Sequence, residues 1–316
     1  MSAGKAIFLG FKVIILAIGL TISFIVGSLI SGLGRAPAAS GAAAAAAPAA
    51  TSEPANILLL LFVSSLIQAI IVSYLVLEAQ WGGWKVTVAL FLVFLNMFLQ
   101  ATVESVVYLS GKVPFQFNYQ MPITGLVIAV LFAPFAVLVM GGFGKARATP
   151  KIEYARWTPG EWAGRVAALA VVVLAVYYLC GYYIAWQNPE LRQFYQGSTD
   201  IKSFWVHMAA VWSGTPWMIP YQAARGLFWV VMTLPALWML RGGRARVALG
   251  GALMYAALGG TAMLILPNPL MPPAVAHTHL IETTISGLML GAFVGWTMYR
   301  REAVPPADEV QSPKAA

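Results

Sequence analysis

The sequence predicts an all-α polytopic membrane protein with about eight transmembrane helices, built as two parallel four-helix repeats with an interfacial helix in one outer loop. Three observations predict it. Hydrophobic residues make up 60% of the 316 positions and charged residues only 9%, far from the balance of a water-soluble domain. Apolar runs of roughly 20 residues, enough to cross a hydrocarbon core of about 30 Å, recur along the whole chain. Lysine and arginine cluster at every second interruption between those runs.

The runs fall at 7–32, 55–77, 85–109, 119–142, 162–184, 222–240, 246–266 and 278–299. Lys12 lies inside the first run, close enough to its end for the ammonium to snorkel. Lys5, Lys85, the group Lys145, Arg147, Lys151, Arg156 and Arg165, the trio Arg241, Arg244 and Arg246, and Arg300 with Arg301 mark one side. The alternate loops carry Arg35, Lys112, Arg192 and Lys202 over a greater length. The positive-inside bias therefore predicts an inner-membrane protein with both termini cytoplasmic. Read differently, the first run with the small residues Ala36, Ala38 and Ala39 after it looks like a cleavable secretory signal, although its apolar stretch is long for one.

The chain divides into a first half, 1–142, with a flexible Ala/Pro-rich outer loop at 36–54, then a basic inner loop at 143–161. A second half follows at 162–299, with an aromatic outer loop at 185–221, and the tail 300–316 is expected to be disordered. The halves resemble each other. Trp81-Gly82-Gly83-Trp84 aligns with Arg241-Gly242-Gly243-Arg244, and Gly125, Ala129 and Ala133 fall on Gly287, Gly291 and Gly295. Small residues every four positions, the GxxxG spacing, allow close helix packing, so spans four and eight are expected to pack in equivalent places, against each other. An even number of spans per half makes the repeats parallel, with a pseudo-axis along the membrane normal.

Within 185–221, Ile201, Phe204, Trp205, Met208, Val211 and Trp212 recur at helical spacing and predict a helix in the outer interface, as an anchor or a lid.

The formal charge of +8 does not indicate nucleic acid, since no basic face or stacking platform accompanies it. The single cysteine, Cys180, rules out an intrachain disulfide and reads as packing. No nucleophile elbow, phosphate loop, dinucleotide fingerprint or haem-attachment pair occurs, and no cofactor is identified.

Polar residues at membrane depth carry the functional reading, because hydrocarbon penalises them unless they face a bundle interior or cavity. Asn96, Gln100 and Glu104 share one face of span three; Ser64, Ser65 and Gln68 form a second patch on span two. Arg225 sits in span six, and span eight opens with His277, His279 and Glu282. At about 1.5 Å of rise per residue, all of the charged groups reach one outer layer. Glu104, Arg225, His279 and Glu282 are therefore expected to converge at the outer mouth, with Gln100, Asn96 and Gln68 leading inward. His279 and Glu282, with Glu104 as a third, are also candidate metal ligands, though the usual two-histidine spacing is missing. No span is expected to be broken.

Three functions fit this pattern. The first is a binding or transport protein with an outward-facing cavity for a proton, cation or small anionic solute, in which Glu104 and Glu282 take up the cation. The second is a membrane enzyme using His279, oriented by Glu282, on a lipid-borne substrate with Arg225 stabilising an anion. The third is a non-catalytic subunit or assembly factor whose small-residue faces contact a membrane-protein partner.

Overall fold

The computed structural model describes residues 2–33, 54–108, 115–144, 156–267 and 272–300. The 36–54 loop up to residue 53, most of the basic loop and the tail beyond 300 lie outside the described residues. The described residues form ten α-helices: α1 (Ala3–Ser31), α2 (Pro54–Leu77), α3 (Trp84–Tyr108), α4 (Phe117–Val139), α5 (Pro159–Tyr183), α6 (Pro189–Gln196), α7 (Phe204–Gly214), α8 (Met218–Trp238), α9 (Arg244–Leu258) and α10 (Pro273–Thr297). Short 3₁₀ turns follow α5 at Ala185–Gln187 and α9 at Thr261–Ile265.

Seven helical segments are long and apolar enough to cross a bilayer, so the chain is a multi-pass membrane protein. They are α1 to α4, α5 with its turn, α9 with its turn, and α10. Helix α8, at the expected sixth span, falls short of that criterion because Gln222 and Arg225 occupy its first turns.

Local signals fix several helix starts. Thr158 and Glu161 form a reciprocal capping box at the start of α5, with Pro159 at its first position. Asn188 caps α6 through the Glu190 N–H at 2.8 Å. Pro273 opens α10 five residues earlier than the expected span, since its missing N–H and fixed φ suit a first turn. His277, His279 and Glu282 therefore lie on one continuous helix.

One expectation is corrected. The run expected as the seventh span is broken: α9 stops at Leu258, and the backbone turns through Gly259 and Gly260 (φ 104°) before the 3₁₀ turn. A side chain at Gly259 would collide with the Tyr255 carbonyl and the Trp229 ring, which stacks on Tyr255 at 4.9 Å. Only glycine allows the chain to leave the helix there. Among the described residues, no backbone N–H beyond Leu258 returns to the last carbonyls of α9.

Helix α1 packs on α2 and α4, and α3 on α4; α5 packs on α8 and α10, and α9 on α10. These two groups meet where α3 crosses α8 and where α2 crosses α9. The small-residue faces of α4 and α10 make their main contacts with the preceding helix of their own group, not with each other. Gly287, Gly291 and Gly295 approach the backbone of α9 at Ala256, Gly251 and Val247, whereas Gly125 faces the side chain of Phe98 on α3.

At the end of the bundle carrying Lys85, Arg241, Arg244 and Arg246, called here the basic end, two loops pair through an antiparallel bridge between Ala79 and Leu240. The Gln80 N–H donates to the Met239 carbonyl at 2.7 Å and the Arg241 N–H to the Glu78 carbonyl at 2.8 Å. The side chains repeat the exchange: Gln80 Nε2 donates to the Trp238 carbonyl at 2.9 Å and Arg241 Nη2 to the Leu77 carbonyl at 2.7 Å.

Candidate functional site

The polar residues singled out in the sequence form two stations, one at each crossing between the helix groups, and a third cluster at the far end. At the α3–α8 crossing, Arg225 is the hub. Its Nε donates to Gln100 Oε1 at 2.9 Å, its Nη1 to Gln222 Oε1 at 3.1 Å, and its Nη2 pairs with Glu104. Gln100 Nε2 in turn donates to Asn96 Oδ1 at 3.4 Å, so the stripe on α3 continues inward as a connected chain. Asn96 and Gln100 are buried and the Arg225 side chain is 13% exposed, but the Glu104 side chain is 48% exposed. The carboxylate is thus the open end of a sealed network. Gln222 also donates to the Tyr108 hydroxyl, which lies 2.9 Å from that of Tyr177 on α5.

Gln68 does not join this chain. It belongs to the α2–α9 crossing, facing the break after α9. The Ser64 hydroxyl donates to the Ala262 carbonyl at 2.6 Å, and Gln68 Nε2 lies 3.3 Å from Ser64 Oγ and 3.9 Å from Met263 Sδ. Gln68 is 2% exposed, and its Oε1 has no hydrogen-bond partner among the described residues. Thr261 extends the station, donating to Thr283 Oγ1 on α10 at 3.1 Å. Gln68 is nine residues from the basic end of α2, about 14 Å along the helix, and Leu258 fourteen residues from that of α9, about 21 Å. The break therefore sits well inside the membrane span, where free carbonyls are tolerated only next to protein polar groups or a cavity.

His279 and Glu282 form the third cluster. His279 Nδ1 and Glu282 Oε2 are 3.2 Å apart, and the Tyr195 hydroxyl on α6 is 3.1 Å from His279 Nε2. A carboxylate only accepts, so with neutral histidine the proton sits on Nδ1 and Nε2 accepts from Tyr195. Asn188 Nδ2 braces the same helix by donating to Thr278 Oγ1 at 2.7 Å. The expected meeting of four charged groups thus resolves into two pairs, Arg225 with Glu104 and His279 with Glu282. Tyr195 lies within electrostatic reach of both: burial, then the Glu104 and Glu282 carboxylates, push its hydroxyl above the usual range. His277 points away and is exposed.

Among the described residues, no three His, Cys, Asp or Glu side chains gather as a metal-ligand group, and Glu104 is turned to Arg225 rather than to His279. Near the same end, α7 carries the aromatic stripe from Phe204 to Trp212, with Met208 buried and Trp205 exposed. Ile201 lies before its first turn. His207 is set against Trp186 at 5.1 Å and Tyr182 at 5.6 Å; burial, then Lys202, lowers its pKa below the ordinary imidazole range.

Sequence reasoning missed Gln222, Tyr108, Tyr177 and Tyr195. Two carried a signal: Gln222 precedes Arg225 by three positions and Tyr108 follows Glu104 by four, so each shares a helix face with its neighbour. Tyr195 carried none, since it reaches His279 across 84 residues through a helix that the aromatic loop composition did not predict.

No family model matches the chain, and no curated protein or solved structure matches it.

Proposed function

We propose that this chain is a two-halved transport protein of the inner membrane that takes up a proton or cation, with a small solute, through a polar cavity opening to the outer side. The observation that carries the reading is the broken seventh span facing Ser64 and Gln68, because discontinuous helices with free carbonyls at membrane depth are the device by which transporters bind ions and solutes between repeats.

The chain crosses eight times in this reading, with α8 as the amphiphilic sixth span and both termini cytoplasmic. The helix contacts support two parallel repeats. Exchanging α1, α2, α3 and α4 with α5, α8, α9 and α10 carries the principal contacts within each group, and the two main crossings between groups, onto one another, while the weaker α2–α4 and α8–α9 contacts have no such counterpart. The paired loops obey the same rule: Gln80 corresponds to Arg241, Glu78 to Met239 and Leu77 to Trp238, each 161 residues apart. Both polar stations then lie beside one pseudo-twofold axis, between bodies able to rock against each other. Helix α7 is the interfacial helix over the outer face.

The competing readings lose support from the contacts. A lipid-modifying enzyme needs Arg225 free for a developing anion, but all three of its nitrogens are engaged. A subunit that docks through its glycine faces needs them outward, but Gly287, Gly291 and Gly295 are packed on α9.

The test is proton flux in proteoliposomes, driven by a potassium diffusion potential and read by a pH dye inside. Wild type should collapse the gradient faster than empty vesicles, and Glu104→Gln and Glu282→Gln should each slow it by about tenfold or more, the scale of one relay group lost. Wild-type flux equal to that of empty vesicles, or unchanged flux in both variants, refutes the proposal.

A further inference from the structure

The basic end holds a cleft that takes no part in the stations above. It lies between the paired loops and is lined by Gln80, Trp81, Trp238, Arg241, Tyr299 and Arg300, with Leu237, Leu240 and Val247 beneath. Among the described residues, its lining carries charge of one sign only. Arg241 is anchored by Nη2 on the Leu77 carbonyl, and its Nε is buried with no acceptor among the described residues. Arg300 stacks its guanidinium over Trp238 at 5.2 Å.

Helix α9 starts at the rim of this cleft, and its first turn is unusual. Gly243 is the N-cap and offers no side-chain acceptor, and no acidic residue occupies the first turn. Arg244 is there instead, over Trp296 at 5.1 Å, with Arg246 beyond it. Glu78 is 3.4 Å from Arg246, so that carboxylate is already engaged. A helix N-terminus carries about half a positive charge and normally attracts an acidic cap. Here it is surrounded by guanidinium groups instead, and a buried guanidinium N–H left without an acceptor is costly unless an anion supplies one.

We infer that this cleft binds the phosphodiester headgroup of an anionic phospholipid from the leaflet at the basic end. Arg241 Nε donates to a phosphate oxygen, Arg300 and the α9 N-terminus supply the field, and Trp81 and Trp238 sit at headgroup depth. The apolar floor favours a lipid over a free phosphate, because Leu237, Leu240 and Val247 have nothing to offer an ion but can cover a glycerol backbone. In the paired loops Gln80, one position before the Trp81 that the sequence aligns with Arg241, makes the matching bonds, and its amide is spent on the Trp238 carbonyl and brings no charge.

Native mass spectrometry of the full-length protein in detergent, with added phosphatidylglycerol, phosphatidylcholine or inorganic phosphate, tests this. Wild type should retain one phosphatidylglycerol under conditions that strip phosphatidylcholine, and inorganic phosphate should not displace it. Arg241→Gln, which installs the residue that makes the matching bonds in the other loop, should weaken retention about tenfold, the loss expected for one charge-assisted hydrogen bond. Since Arg241 also ties the loops together, Arg300→Gln is measured beside it, and should weaken retention in protein that thermal unfolding shows to be folded. Equal retention of the two lipids by wild type, undiminished phosphatidylglycerol in Arg300→Gln and in folded Arg241→Gln, or displacement by millimolar phosphate overturns the assignment.

Discussion

The α3–α8 crossing and the α2–α9 crossing both join the two helix groups, yet one holds an ion pair and the other a broken helix. Arg225 and Ser64 stand 161 residues apart, as Arg241 and Gln80 do. At the first crossing α3 runs unbroken past Asn96, Gln100 and Glu104, and the polarity is supplied by side chains. At the second, α9 ends and the 3₁₀ turn after it presents the Ala262 carbonyl to Ser64, with Met263 Sδ beside Gln68. Similar packing thus carries different chemistry: a fixed charge network, sealed inward and open at Glu104, against an uncharged station with a spare acceptor at Gln68. In the transport reading the first is the mouth and the second the binding station.

The largest effect separates the two glycine faces. Gly291→Val would drive a side chain into the Gly251 carbonyl on α9, and backbone cannot rotate away, so a loss of about 3 kcal/mol is expected. Gly125→Val meets the Phe98 side chain and should cost less, about 1–2 kcal/mol. Unfolding titrations in mixed micelles that rank the two in the opposite order would show that the halves are not packed as described.

Next come the crossings. Arg225→Gln leaves Gln100 and Gln222 without their donor, which should cost about 2 kcal/mol, with the half-exposed Glu104 contributing little. Ser64→Ala removes a single neutral hydrogen bond to the Ala262 carbonyl and should cost about 1 kcal/mol. The same titration checks both, and equal losses would remove the distinction between a charged and an uncharged crossing.

The smallest effect concerns two links, the one from α1 to α2 and the one from α5 to α8. The 36–54 loop has no histidine, whereas the second link sets His207 among aromatic rings with its pKa lowered. An imidazole that protonates less readily when folded stabilises the fold above its unfolded pKa of about 6.5, and the benefit is lost as pH falls below that. Hydrogen-exchange protection in α7 should therefore weaken as pH falls below about 6.5, and His207→Phe should remove that pH dependence. Unchanged pH dependence in the variant would assign it to another group.

Much of this was legible in the residues. Apolar length marks each span, since a bilayer demands about 20 such residues wherever the chain crosses, and the stripe Asn96, Gln100 and Glu104 follows from helical periodicity alone. The glycine spacing on α10 marked a close contact but not its partner. Local sequence also explains why α8 resists assignment: Arg225 lowers its apolarity, and only Gln100, Gln222 and Glu104, from two helices, make that charge tolerable.

By itself, then, the sequence determined the solvent, the helices and the faces on which polar groups lie, because those depend on transfer free energy and a fixed rise per residue. Tertiary structure alone decided which groups meet. It set Gln68 against the α9 break rather than beneath Glu104, tied His279 to Tyr195 and Glu282 rather than to Arg225, and stopped α9 where Trp229 and Tyr255 stack against Gly259. Such pairings depend on how helices rotate and cross, which is settled by close packing between residues far apart in the chain.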